Sequence, residues 1–133
     1  MPVRALARVN LAAIERNAAA LRSHLAPGTH LCAVVKADAS GHGAVPVARA
    51  ALAGGATSLA VATVVEAAEL RSAQLTAPVL ILGAISNEEL PVALAAGAEV
   101  VAWSERFVED LAARANGTTP VGVHVKLDSG MGR

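Results

Sequence analysis

The sequence has few of the residues that build an aromatic core or a cross-linked fold. It contains no tyrosine, and Trp103 and Phe107 are its only aromatic residues. Cys32 is the only cysteine, so no disulfide can form within the chain. Its position in the apolar run 31–35 predicts a small core residue rather than a reactive thiol. A core of alanine, valine and leucine suits close packing of helices on a sheet.

The sequence also has no excess charge of either sign. Eleven basic and eleven acidic residues cancel, and no segment gathers Lys and Arg into a stripe that could follow a phosphate backbone. We therefore expect no nucleic-acid partner. No segment reaches the roughly 18 uncharged residues that a bilayer span needs, so we expect no membrane partner and a cytoplasmic protein. With 54% hydrophobic and 17% charged residues, the chain is expected to fold rather than to be disordered.

Helical and strand patterns alternate along the chain. An apolar stripe at helical spacing follows Asn10, which is a suitable helix cap. Two capping boxes, Thr63 with Glu66 and Ser86 with Glu89, predict two further helix starts. The predicted helices span residues 11–26, 46–53, 64–75, 87–96 and 105–115, and the predicted strands span residues 31–35, 59–62, 79–82, 100–103 and 121–127.

This alternation limits the possible architectures. Successive strands begin about 20 to 28 residues apart, the length of one β/α unit with short loops. Such a run fits an open doubly wound sheet or the first half of a closed barrel, and a complete barrel of about 250 residues is excluded by length. Glycines 41 and 43 have the wrong spacing for a dinucleotide-binding turn. We therefore predict an α/β fold, a partial (β/α)8 TIM-type barrel of about four β/α units plus a fifth strand. It would occupy residues 11–133 and follow an extended segment at 1–10.

The ends of the first and fifth predicted strands carry candidate chemistry. Functional groups of parallel β/α folds collect at the C-terminal ends of the strands. Lys36 directly follows the first strand, where burial would favour a neutral amine able to act as a nucleophile or Schiff-base partner. The alternative is a lysine whose amine simply reaches solvent. Small residues and glycines in the predicted loop 37–43 would let a backbone approach a ligand, with Ser40 and His42 as polar contacts.

The fifth strand leads into a second polar, glycine-containing stretch. Lys126 lies within this strand, and Arg133 could hold a carboxylate through two parallel hydrogen bonds. The alternative for Arg133 is a solvated residue with no ligand.

The two stretches together resemble the two signature blocks of bacterial alanine racemases. The blocks here read VVKADASGHG at residues 34–43 and KLDSGMGR at residues 126–133. Residues 59–67 and 79–83 are also similar to that family, so the resemblance covers essentially the whole chain. It implies a barrel-type enzyme that uses pyridoxal 5′-phosphate to interconvert L-alanine and D-alanine, a peptidoglycan precursor.

The same resemblance implies roles for individual residues. Lys36 corresponds to the lysine that forms the internal aldimine and acts as the base for the D-enantiomer. Arg133 matches the arginine near the substrate carboxylate and the cofactor's phenolic oxygen. Lys126 matches a lysine that is carbamylated in many members, where its negative charge orients that arginine. Ser40 replaces a tyrosine that contacts the cofactor ring, which leaves a small hydroxyl there, and His42 is expected to support the site structurally rather than to transfer protons.

The sequence also departs from the family. Family members are homodimers in which the second base is a tyrosine from the partner's C-terminal domain, and this chain contains no tyrosine. In the family, the later barrel strands carry most of the contacts to the cofactor phosphate, and racemase activity would also need these strands. We therefore expect the chain alone to have little or no racemase activity. The alternatives are another barrel-type pyridoxal phosphate racemase or decarboxylase, and a non-catalytic cofactor-binding fragment.

Overall fold

The computed structural model describes residues 4–115, 117 and 119–132. Helices and strands alternate through the described residues. The helices are α1 (Leu11–Ser23), α2 (Lys36–Gly41), α3 (Ala44–Ala53), α4 (Val64–Ser72), α5 (Leu90–Ala95) and α6 (Glu105–Arg114), and the strands are β1 (Cys32–Val34), β2 (Ser58–Val61), β3 (Val79–Ile81), β4 (Glu99–Ala102) and β5 (Val123–Val125). Residues 4–10 belong to no helix or strand, and the extended segment proposed for 1–10 falls partly outside the described residues. No helix in the described part of the chain is long and apolar enough to cross a membrane.

The five strands form one parallel sheet in chain order, β1-β2-β3-β4-β5. Ala33 pairs with Leu59 at one side of the sheet, and Val101 pairs with His124 at the other. A doubly wound sheet would reverse its strand order near the middle. The unbroken order therefore excludes that alternative and confirms the predicted α/β fold, consistent with part of a TIM-type barrel.

The core lies where the middle of the sheet meets the helices. Leu59, Ile81 and Val100 on the strands, and Leu70 and Leu90 on the helices, are completely buried. Three of the four residues of β2 and of β4 are buried, as expected for strands covered on both faces.

The edge strand β1 is more exposed than the central strands, so one prediction is wrong. We expected the run 31–35 to be buried on both faces with Cys32 in the core, but Cys32 is exposed and Val34 is 55% exposed. The reason is that β1 is the first strand of the sheet and has a neighbour only in β2. An apolar run indicates that a strand can be buried, but it does not show whether neighbouring elements bury it.

The helix caps follow the sequence in two cases and depart from it in a third. The Oδ1 of Asn10 accepts from the N–H of Ala13 at 3.0 Å, and α4 has the complete Thr63–Glu66 capping box. The predicted Ser86 box is only half formed: the carboxylate of Glu89 accepts from the N–H of Ser86, but the Ser86 hydroxyl bonds Glu88. Helix α5 begins at Leu90 rather than at 87 because Pro91 has no N–H to donate to the carbonyl of Asn87. Pro91 occupies its first turn, where proline is tolerated.

The predicted loop 37–43 contains a left-handed turn of helix, α2. Residues Ala37, Asp38, Ala39 and Ser40 have φ between 51° and 58° and ψ between 37° and 50°. A left-handed conformation costs an L-residue with a Cβ roughly 1–2 kcal/mol. The turn is therefore stable only because contacts elsewhere in the protein select it.

We predict that Ala37→Gly will not destabilise the chain and will stabilise it by up to about 1 kcal/mol, because relief of the left-handed conformation outweighs the greater flexibility of unfolded glycine. The matched control is Ala20→Gly in the exposed face of α1, which should cost about 1 kcal/mol. Denaturant unfolding measures both changes. Equal losses of stability in the two variants would show that position 37 is not left-handed.

We also predict that the chain self-associates, because β1 and β5 are the two edges of the described sheet and β5 is exposed along its length. Val125→Lys, which places a charge on β5, should weaken the association. Sedimentation velocity over a range of concentrations measures it. A monodisperse monomer that melts cooperatively would contradict the prediction.

Candidate active site

A cavity of about 860 Å³ lies at the C-terminal ends of the strands. Its volume is within the range of roughly 300–1,000 Å³ that small-molecule sites usually have. The wall is formed by residues of β3, β4 and β5 and by residues that follow β1, β2, β3 and β5. The lining residues are Lys36, Ala62, Leu80, Leu82, Gly83, Ala84, Val101, His124, Val125, Lys126, Leu127, Asp128, Ser129 and Met131.

The cavity brings together both lysines of the chain, Lys36 and Lys126. Each lysine lies just after a strand, where backbone hydrogen bonds to the neighbouring strand continue as far as the edge of the cavity. The N–H of Val35 donates to Ala60 at 2.8 Å immediately before Lys36, and the N–H of Lys126 itself donates to Ala102 at 2.8 Å. The parallel pairing thus fixes the position of both lysines along the sheet.

One premise about Lys36 is wrong. We expected the end of a buried strand to remove its amine from water, but Lys36 is exposed, although the preceding Val35 is buried. The open cavity explains the difference, since Val125, Leu127 and Met131 on its far wall are 76%, 84% and 81% exposed.

Two further residues of the first signature block lie away from the cavity lining. Ser40 is exposed within the left-handed turn. His42 ends the turn, and its Nδ1 lies 2.8 Å from the carbonyl oxygen of Ala39. The two residues therefore stay predictions as cofactor contacts. Arg133 lies outside the described residues.

The sequence pattern identifies Glu66 only as a helix cap, but its carboxylate accepts from three N–H groups and joins two backbone segments. Oε1 accepts from the N–H of Ala37 at 2.7 Å, and Oε2 accepts from the N–H groups of Ala62 at 2.7 Å and Thr63 at 2.9 Å. Partial burial alone would raise the pKa of Glu66, but these hydrogen bonds hold the pKa below its ordinary value. Glu66 is therefore an anionic link between the residue after Lys36 and the end of β2.

Asp128 has a similar role in the second signature block, and the sequence reasoning did not single it out. Its carboxylate accepts from the N–H of Gly130 at 2.9 Å and of Gly132 at 3.0 Å. These bonds, that of Gly130 first, lower the pKa of Asp128. Both glycines have positive φ, 126° and 69°, so the loop needs them there. An Asp with glycines two and four residues later is the signal that could have indicated this turn.

A side-chain contact between β4 and β5 was also missed. His124 lines the cavity, and its Nε2 lies 2.6 Å from Oε2 of Glu99. The two residues belong to adjacent strands, which the sequence alone does not show.

A second cavity of about 480 Å³ includes Arg71, Glu99, Arg114 and Gly122 in its lining. The guanidinium of Arg71 donates to three backbone carbonyl groups at 2.7–2.8 Å, which shows that it joins α4 to neighbouring loops. The described residues contain no cluster of side chains suited to hold a metal ion.

Comparison with known proteins identifies the family of the chain. The family model for the alanine racemase N-terminal domain matches residues 9–133. An alanine racemase of Desulforamulus reducens is 45% identical over 128 residues, which cover 96% of this chain and 35% of that protein. The chain thus spans about a third of the length of this relative.

Solved structures agree with the sequence comparison. The crystal structure of alanine racemase from E. faecalis matches with a TM-score of 0.89 and 38% identity, over 94% of this chain and 34% of that one. Alanine racemase from Bacillus anthracis, with bound L-Ala-P, matches with a TM-score of 0.83 and 37% identity, over 92% of this chain and 32% of that one. The family model, the sequence relatives and the solved structures coincide over nearly all of these residues, and the chain belongs to the alanine racemase family, corresponding to an N-terminal portion of its members.

Proposed function

We propose that this chain provides the cofactor-binding wall of an alanine racemase, with pyridoxal 5′-phosphate held on Lys36. The observation that carries the proposal is the meeting of Lys36 and Lys126, the only lysines of the chain, in one cavity at the strand ends. The bound L-Ala-P of the B. anthracis relative supports an alanine-like substrate for the same cavity.

The residues present fit this cofactor, because a primary amine lines a cavity large enough for a small cofactor with an amino acid. The cofactor supplies an aldehyde that binds amines and a conjugated ring that accepts the electron pair left when the substrate Cα loses its proton. The Lys36 amine would hold the aldehyde carbon, release it to the substrate amine, and then take or return the Cα proton of D-alanine.

The remaining predicted residues would orient the substrate. Arg133 would bind its carboxylate through two parallel hydrogen bonds. Carbamylation of Lys126 would place a negative charge on the cavity wall that could hold Arg133 in position. We assign Ser40 a hydroxyl contact to the cofactor and His42 the support of the turn that follows Lys36.

The complete activity requires parts that this sequence does not contain. The chain has no tyrosine to act as the second base, and its cavity is open to water at Val125, Leu127 and Met131. We propose that the whole protein is a homodimer in which a partner's tyrosine provides the second base. The exposed Lys36 and the open wall also favour a second candidate for this chain by itself, a module that binds the cofactor without turnover.

We predict that the chain, after incubation with pyridoxal 5′-phosphate and removal of the unbound cofactor, retains an absorbance band near the visible, and that Lys36→Ala abolishes this retained band because the attaching amine is lost. Lys126→Ala is the matched control. It removes the second lysine of the same cavity and should retain the band. Absence of a band in the unmodified chain, or its persistence in Lys36→Ala, would contradict the assignment of Lys36.

We predict that the 133-residue chain, loaded with cofactor, converts L-alanine to D-alanine at least about 100-fold more slowly than a full-length relative, because one positioned base is missing. A coupled assay for D-alanine measures the rate. Turnover close to that of the full-length relative would show that the chain possesses a second base of its own.

A further inference from the structure

The strained turn after Lys36 needs contacts that hold it in place. The backbone from Ala37 to Ser40 is left-handed throughout, with φ of 51° to 58°, although none of these residues is glycine. This conformation is sterically disfavoured for residues with a Cβ. Because the turn begins immediately after Lys36, whatever holds it also determines the direction in which the Lys36 side chain leaves the sheet.

Some of these contacts join the turn to its own neighbours in sequence. The N–H of Ala39 donates to the carbonyl of Val35 at 2.9 Å, and the N–H of Gly43 donates to that of Asp38 at 3.0 Å. Oδ1 of Asp38 accepts from the N–H of Ala44 at 2.7 Å. These bonds shape the turn and join it to α3, but they do not fix it relative to the next strand.

Glu66 provides the link to that strand. Its Oε1 accepts from the N–H of Ala37 at 2.7 Å, and its Oε2 accepts from Ala62 and Thr63 at the end of β2. Lys36 and Ala62 both line the cavity, whereas Glu66 is not among the lining residues. The carboxylate therefore lies behind the cavity wall and joins two adjacent parts of it.

The bond to Ala37 exceeds what a helix cap requires. In a capping box the glutamate accepts only from the N–H of the cap residue, which here is Thr63. Glu89 shows the simpler arrangement in the same chain, because its Oε2 accepts from the N–H of Ser86 at 2.8 Å, three residues away. The second oxygen of Glu66 thus serves a partner 29 residues distant in sequence.

We propose that Glu66 is a positioning residue for Lys36, whose carboxylate fixes the left-handed turn against β2 and thereby holds the lysine amine at the cavity. This inference rests on the proposed function, since the amine matters only if it receives the cofactor. Glu66 acts through the backbone of Ala37 and Ala62 and does not touch the cofactor.

The test compares the two lysines within one chain. The folded chain is incubated with pyridoxal 5′-phosphate. Each amine that condenses with the aldehyde forms a C=N bond, the aldehyde oxygen leaves as water with the two amine hydrogens, and borohydride reduces the C=N bond to a stable C–N label. Peptide mass spectrometry then gives the ratio of label on Lys36 to label on Lys126. Because both lysines line one cavity of the same molecule, the ratio cancels differences in protein and reagent concentration, and it is compared only among variants that circular dichroism shows to be folded.

Two variants of Glu66 should lower the ratio about tenfold, since a small displacement of a reacting group has a large effect on rate. Glu66→Gln keeps the shape but leaves one acceptor oxygen for three N–H donors. Glu66→Asp keeps the charge but is one methylene too short to join both strand ends, and it provides the test if the glutamine variant does not fold. Glu89→Gln and Thr63→Ala, which alter caps without removing the acceptor of Ala37, should leave the ratio unchanged.

Hydrogen exchange gives a second readout that needs no cofactor. The amide of Ala37 should exchange about tenfold faster in the Glu66 variants and at the original rate in the two controls. If the unmodified chain takes no label on Lys36, the proposed function fails, while the exchange rates still test the link between Glu66 and Ala37. If Lys36 is labelled normally in a folded Glu66 variant, or if the Ala37 amide keeps its exchange rate, the positioning role is wrong.

Discussion

The parallel pairing of each strand with the next strand in the chain determines most of this structure. A parallel pair needs a crossover that returns the chain to the same end of the sheet, and here each crossover is a helix with short loops. As a result, every strand ends at the same edge. Lys36 and Lys126, separated by four such crossovers, therefore meet in one cavity although neither is near the other in sequence.

Local patterns predicted the elements well because they depend on nearby residues. Apolar spacing and caps such as Asn10 and Thr63 located α1 and α4, and the turn glycines marked where chain segments end. One error arose where distant contacts determine the structure, since the exposure of Cys32 depends on whether a neighbouring strand covers β1. The later start of α5 is a local effect that the capping-box pattern does not include, because Pro91 has no N–H to donate to the carbonyl of Asn87.

The left-handed turn after Lys36 was beyond local prediction for a clear physical reason. Four residues with a Cβ favour the right-handed region when considered alone, so a polar, glycine-containing stretch predicts only a loop. The native conformation depends on Glu66, which lies one β/α unit further along the chain. The resemblance to a family located Lys36 and Lys126, but the support of Lys36 by Glu66 and of the second block by Asp128 became visible only from backbone hydrogen bonds.

The fold and the proposed function both depend on the convergence of Lys36 and Lys126 in one cavity. A short amine-reactive crosslinker tests it directly, since the chain offers only Lys36 and Lys126 as side-chain amines. The structure predicts an intramolecular Lys36–Lys126 crosslink in the folded chain at low concentration, identified by peptide mass spectrometry and lost on denaturation. A folded chain in which both lysines react singly and no such crosslink forms would contradict the account.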